Sequence, residues 1–254
     1  MTPLLQTTLT YALVPVVFTI AGAATGVYLP AMRRLRSHVL HFAAGVVFAV
    51  VAVNLLPEIQ RRALVTDVVV GFVLGIATML LIDMVLDRLR DAATSREAGA
   101  DNAAAKQGSK VELSLLFAVA IDFLLDGLLL GVGFAAGAKI GILLALAEAA
   151  EQLSVGLALA GELTNAGVRR SRVILIVSGL GSLVFVTAVL GATVLSKLTG
   201  GSMEVVLSFG LAALLYLVTQ ELLREAFEEK ETATSTAMFF AGFLLFLVIG
   251  MTLE

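Results

Sequence analysis

The sequence predicts an all-α membrane protein of eight transmembrane helices, on three observations. The 254 residues are 59% hydrophobic, only 15% are charged, and the mean hydropathy is +1.00. The apolar residues come in runs of about 20, the length that crosses the hydrocarbon core as a helix. The charged residues gather in short segments between those runs, whereas on a soluble bundle they would recur along one face of each helix. The runs are also too long, and alternate too little, for the strands of a membrane barrel.

Eight spans follow in order: about Leu9 to Leu29, His38 to Leu56, Val65 to Leu86, Val111 to Gly137, Ile140 to Ala160, Val173 to Leu195, Val205 to Leu223 and Ala237 to Leu253. Lipid offers no hydrogen-bond partners, so each run must satisfy its own backbone and is read as a helix. The first has no Lys or Arg before Arg33, which removes the positive flank of a cleaved signal peptide and makes this run a permanent span. The connection Arg88 to Lys110 is rich in Ala, Asp, Ser and Asn and lacks hydrophobic periodicity; a flexible cytoplasmic loop is expected there, within one transporter domain covering residues 1–254.

Orientation follows from the basic residues. Arg33, Arg34, Arg36, Arg88, Arg90, Arg96, Lys106, Lys110, Arg169, Arg170, Arg172, Arg224 and Lys230 fall on one side, 13 in all, against Arg61, Arg62, Lys139 and Lys197 on the other. The 13 mark the cytoplasmic side, so both termini are expected outside, in a plasma or inner membrane.

The absence of Cys excludes disulfides, thiolate metal sites and Cys-based redox chemistry. A net charge of −3 with no basic block gives no footing for nucleic acid. No constellation of nucleophile, base and orienting group is visible, so an enzyme is not expected. Glycines four apart, as at Gly22 and Gly26, Gly71 and Gly75, and Gly127 and Gly131, allow close helix approach, as in any packed bundle.

The informative residues are acids. Asp122 and Asp126 lie near the middle of the fourth run, and Glu148 and Glu151, with Gln152 beside them, near the middle of the fifth. Each Asp at a helix centre costs about 2.5–3.5 kcal/mol on the insertion scale, so four uncompensated acids cost on the order of 10 kcal/mol or more. Apart from His38 and His41, which stand at a predicted cytoplasmic end, no span interior holds a basic side chain. Protons and bound cations remain as compensators.

Spacing of i, i+4 for Asp122 and Asp126, and of i, i+3 and i, i+4 from Glu148 to Glu151 and Gln152, puts each set on one helix face. Two antiparallel neighbours so furnished can gather carboxylate oxygens at one depth, which suits a divalent cation. Without a cation the like charges repel, so partial protonation is expected. The plainer reading makes these acids protonated hydrogen-bonding residues that fix helix packing; their clustering argues for a site. Asp83, Glu58, Glu162 and Glu221 lie nearer span ends.

Two internal echoes add to this. The second span ends Asn54-Leu55-Leu56-Pro57-Glu58 and the seventh, running the other way, ends Glu221-Leu222-Leu223-Arg224-Glu225; Asp126 precedes Gly131 by five residues as Glu151 precedes Gly156. Inverted repeats are therefore expected, with the substrate site where they meet.

With these residues in place, the chain resembles the ZIP (Zrt/Irt-like) family of divalent metal transporters over essentially its full length. The second span, His38-Val-Leu-His-Phe-Ala-Ala-Gly45 through Asn54-Leu-Leu-Pro-Glu58, and the seventh, Phe209 through Glu225, carry the likeness. The fourth helix of that family usually reads His-Asn-x-x-Asp/Glu-Gly; here Asp122-Phe123-Leu124-Leu125-Asp126-Gly127 keeps the acid and glycine but replaces His by Asp and Asn by Phe. The fifth offers Ala147-Glu148-Ala149-Ala150-Glu151-Gln152, with Ala147 where relatives place His or Gln.

The resemblance implies a ZIP-like inverted 3+2+3 arrangement and alternating-access passage of a divalent metal through Asp122, Asp126, Glu148, Glu151 and Gln152. A His-free site favours harder cations such as Mn²⁺ or Fe²⁺ over Zn²⁺ or Cd²⁺, which carboxylates can also bind. Phe123 in place of a ligand points to one metal position rather than two. The expected partners are the metal as substrate and the bilayer, with a homodimer left open. The competing reading is a proton-coupled carrier of another solute on the same scaffold.

Overall fold

The computed structural model describes residues 3–28, 33–62, 64–98, 107–227 and 232–252. Among them all regular structure is helical, and eight helices are long and apolar enough to cross a membrane. These are α1 (Pro3–Tyr28), α2 (Arg36–Arg61), α3 (Val65–Arg88), α4 (Leu116–Ala136), α5 (Ala138–Asn165), α6 (Arg170–Leu195), α7 (Gly201–Leu222) and α8 (Ala233–Thr252).

Several helices outrun their apolar stretches. α1 starts at Pro3 rather than Leu9; proline suits a first helical turn, where its missing N–H would have no partner anyway. The helix containing α3 continues to Ala98, and the one containing α4 begins at Gln107, so the connection read as irregular from 88 to 110 is helical over most of its length. Its alanines explain this, because helix propensity needs no apolar face. Residues 99–106, with Lys106, and also Lys230 lie outside the described residues.

Two helices change pitch. Leu56 N–H bonds Val51 O and Leu223 N–H bonds Val218 O, each five residues back, closing π-helical turns at Val50–Leu55 in α2 and Leu217–Leu222 in α7. In the first, Pro57 lacks the N–H that would close an α turn onto Val53. Nothing in the local sequence accounts for the second.

α4 and α5 form a hairpin with Gly137 as its one non-helical residue. Four residues to either side, Gly133 and Gly141 meet: a Cβ on Gly133 would come 3.5 Å from the Gly141 Cα. α5 is the most enclosed helix, with 67% of its most apolar window buried, against 17% for α3, and so α5 is the centre of the bundle. α1 packs on α5 and α6, and α4 packs on α6 and α5; α2 pairs with α8, α3 with α7, and α2 reaches α5.

Glycine makes these crossings close. A Cβ on Gly156 of α5 would strike Thr19 O of α1, one on Gly22 of α1 would strike Leu153 O, and α2 and α8 interlock through Gly45 on Phe239 O and Gly242 on Phe42 O. In lipid, where apolar contact between helices has little advantage over contact with acyl chains, such backbone proximity is a main source of attraction. Gly156→Val is accordingly expected to cost at least about 1–3 kcal/mol by forcing α5 off α1. Thermal unfolding in detergent should show a lowered midpoint for it, while Gly179→Ala, whose added methyl meets nothing within 4 Å, leaves the midpoint unchanged or higher.

Candidate functional site

The hairpin fixes the height of the acids. Asp126 lies 11 residues before Gly137 and Glu148 lies 11 after it. At 1.5 Å per residue both stand about 16 Å from the turn along their helices. Helical spacing then turns Glu148, Glu151 and Gln152 inward together, and all three are buried with Asp126, none more than 3% exposed. Asp122, one turn from Asp126, is half-buried.

A chain of hydrogen bonds crosses three helices here. Gln152 Nε2 donates to Asp126 Oδ2 at 2.9 Å. Thr19 Oγ1, on α1, donates to Gln152 Oε1 at 3.0 Å and also lies 2.9 Å from Pro15 O, one turn back on its own helix. Gln152, read from sequence as a ligand, thus uses both ends of its amide within the protein, with its NH₂ end toward Asp126.

Two oxygens are left over. Asp126 Oδ1 and Glu148 Oε2 are buried and have no hydrogen-bond partner among the described residues; Ser154 Oγ, on the same helix as Glu148, is in the same position. Leaving a buried carboxylate oxygen unpaired costs more than the net worth of an ordinary hydrogen bond, so a proton or a cation is the natural complement.

The charged neighbours that act on Asp126 are Glu148, Asp122, Glu151 and Glu221. The other three expected acids therefore lie within electrostatic reach of Asp126, joined by Glu221 from the π turn of α7. They do not form a ready coordination shell: among the described residues no three of His, Cys, Asp and Glu stand close enough to hold a metal ion.

Residues that sequence reasoning did not bring to the site are Thr19 and Glu221. Glu221 carried a signal, since it opens the repeated Glu221-Leu222-Leu223 segment. Thr19 carried none; a threonine in an apolar helix is most simply satisfied by its own preceding turn, as its contact with Pro15 O illustrates.

Several other polar residues have structural partners. Tyr216 donates its hydroxyl to Asp83 Oδ2 at 2.8 Å, clipping α7 to α3. His41 is buried near the start of α2, with Nδ1 2.8 Å from Ser37 O and its ring edge-on to Phe227. Ser37 in turn donates to Ala226 O, tying α2 to the segment after α7.

Against this geometry, comparison with known proteins adds nothing. No protein-family model matches the chain, and neither does any curated protein.

One consequence is testable without knowing the cargo. Gln152→Leu removes the amide between two buried partners, leaving Asp126 Oδ2 and the Thr19 hydroxyl short of a contact. A loss of about 1–3 kcal/mol is expected from that alone. It should appear as a lowered unfolding midpoint in detergent, larger than that of Gln220→Leu, which changes an exposed glutamine of α7.

Proposed function

We propose that this protein carries a divalent cation across the membrane by alternating access, with Asp126 and Glu148 at the centre of the site and Asp122 and Glu151 completing it. The observation that carries the reading is the pair of buried, unpartnered oxygens, Asp126 Oδ1 and Glu148 Oε2, at matching heights in a hairpin whose interior has no basic side chain. Oxygen donors without imidazole or thiolate favour Mn²⁺ or Fe²⁺ as cargo, with Zn²⁺ and Cd²⁺ as weaker substrates.

An inverted 3+2+3 arrangement like that of ZIP transporters is part of the proposal, and the packing supports it in detail. Val50 and Leu217, Leu55 and Leu222, Phe42 and Phe209, and Gly75 and Gly242 are each 167 positions apart; the first two pairs bound the two π turns. In the other two, Gly242 sits over Phe42 O as Gly75 sits over Phe209 O. Likewise Gly156 sits against Thr19 O and Ala23 N as Gly131 sits against Ala188 O and Ala192 N. Here the α1–α6 partners are 169 apart, and Gly131 and Gly156, like Asp126 and Glu151, are 25 apart. Such a relation exchanges α1 with α6, α2 with α7, α3 with α8 and α4 with α5. It sets the acids at the meeting point of the halves, where carriers of this kind bind their substrates.

The helix pairings favour movement of α1, α4, α5 and α6 as one group against α2, α3, α7 and α8. The site faces the junction through Glu221 of α7.

A specific observation keeps a second reading in play. The acids are not gathered into a coordination shell, and protons alone would satisfy the two open oxygens. In that case the protein is a proton-coupled carrier of another solute.

Flux decides between them. In proteoliposomes the wild type is expected to take up Mn²⁺ or Fe²⁺, and the double variant Asp126→Ala, Glu151→Ala to fall to the rate of empty vesicles. Undiminished uptake in the double variant removes these residues from the site, and metal-independent proton flux favours the second reading.

Orientation is tested separately, helped by the natural absence of Cys. Lys197→Cys should react with a membrane-impermeant maleimide on intact cells, and Ala166→Cys only after permeabilisation, with both residues exposed in the folded protein. The opposite pattern inverts the proposed topology and puts the termini in the cytoplasm.

A further inference from the structure

Thr19 belongs to no part of the carboxylate pattern, yet its side chain carries a hydrogen bond from α1 into the site. We propose that Thr19 is a positioning residue for the cation: its hydroxyl anchors the Oε1 end of the Gln152 amide, whose Nε2 end ties down Asp126 Oδ2 and leaves Oδ1 as the oxygen offered to a hard divalent ion. The inference rests on the transport reading above and adds to it what orients the ligand.

The chemistry of an amide makes the orientation matter. One end only accepts and the other only donates, whereas the Thr19 hydroxyl can do either, so the carboxylate of Asp126 decides which way the amide faces and Thr19 anchors its far end. Thr19 supplies an O–H to the Oε1 end, and Asp126 supplies an acceptor to the Nε2 end. The reversed amide would set Oε1 against Asp126 Oδ2, oxygen against oxygen, which an ionised carboxylate disfavours.

Thr19 is itself held firmly. It is fully buried. A Cβ on Gly181 of α6 would come within 3.0 to 3.2 Å of its Cγ2, Cβ and Oγ1, and one on Gly156 of α5 would strike its carbonyl oxygen. One glycine face therefore closes on this side chain and another on its backbone, while Pro15 O lies within reach of the same hydroxyl as a second acceptor.

Close packing does not by itself require the hydroxyl. At the corresponding place in the other half Ala188 stands for Thr19 and Gly127 for Gln152, yet the backbones approach in the same way. The Thr19–Gln152 pair is thus an addition to the repeat, on the side that reaches Asp126.

Thr19→Val keeps the shape and removes the donor; Thr19→Ser keeps the donor. With Mn²⁺ uptake into proteoliposomes as the measurement, the valine variant should raise the half-saturating concentration about tenfold with maximal rate changed less than about twofold, and the serine variant should stay within about twofold of wild type in both. Mn²⁺ binding to purified protein by calorimetry should weaken in parallel. Gly181→Ala, which crowds the same hydroxyl from α6, should reproduce the valine phenotype and serves if the valine variant does not fold. Unchanged half-saturation and binding in Thr19→Val overturn the positioning role while the transport reading stands. Equal losses in the valine and serine variants overturn it too, since they indicate packing. A wild type that neither binds nor moves Mn²⁺, Fe²⁺, Zn²⁺ or Cd²⁺ overturns the transport reading and this role with it.

Discussion

Carboxylates in the middle of a membrane protein set the terms for everything around them. Each is expensive to keep away from water, and the expense falls only when a proton, a cation or a hydrogen-bond donor meets its oxygens. In this fold the donors run out. Gln152 satisfies one oxygen of Asp126, and its other end is satisfied by Thr19. Glu148, Glu151 and Ser154 are buried in α5, and Phe123, Leu130, Leu143 and Leu144 of α4 and α5 also have almost no exposure. The packing leaves Asp126 Oδ1 and Glu148 Oε2 buried with no hydrogen-bond partner among the described residues.

How the bundle achieves that enclosure comes down to backbone proximity. Glycines on α1, α5, α2 and α8 bring main chains together where a methyl group would collide with a carbonyl. The helices with the least enclosed surface, α1, α3 and α8, carry exposed rows of Val, Leu, Met and Phe that suit acyl chains. Polar contacts between helices, such as Tyr216 to Asp83 and Ser37 to Ala226 O, act as local clips.

Much of this was legible in the sequence, and the reasons differ by feature. The eight spans were readable because length and polarity in lipid admit almost no alternative to a helix. The acids were readable because charge in such a span demands explanation. Helix ends were less so: Pro3 and the Ala-rich segment to Ala98 extend helices beyond their apolar stretches, where hydropathy is silent. The π turn of α7 has no proline or glycine to announce it. Thr19 was invisible because its importance lies in the crossing of α1 over α5, a tertiary fact; its own helix gives it an ordinary role. Gln152 was noticed for its place next to Glu151, but what anchors the far end of its amide depends on that same crossing.

The single-residue connection at Gly137 has a further meaning. Two helices joined by one extended residue, with Gly133 and Gly141 in contact on either side of it, have little room to slide or splay. The aspartate arm and the glutamate arm are in effect one part. In the proposed transport cycle the mutual arrangement of the acids travels with the hairpin. Choice of cargo and choice of face are then separable under that proposal: side chains such as Asp122 and Phe123 could be exchanged to suit a different ion while the surrounding crossings are left as they were.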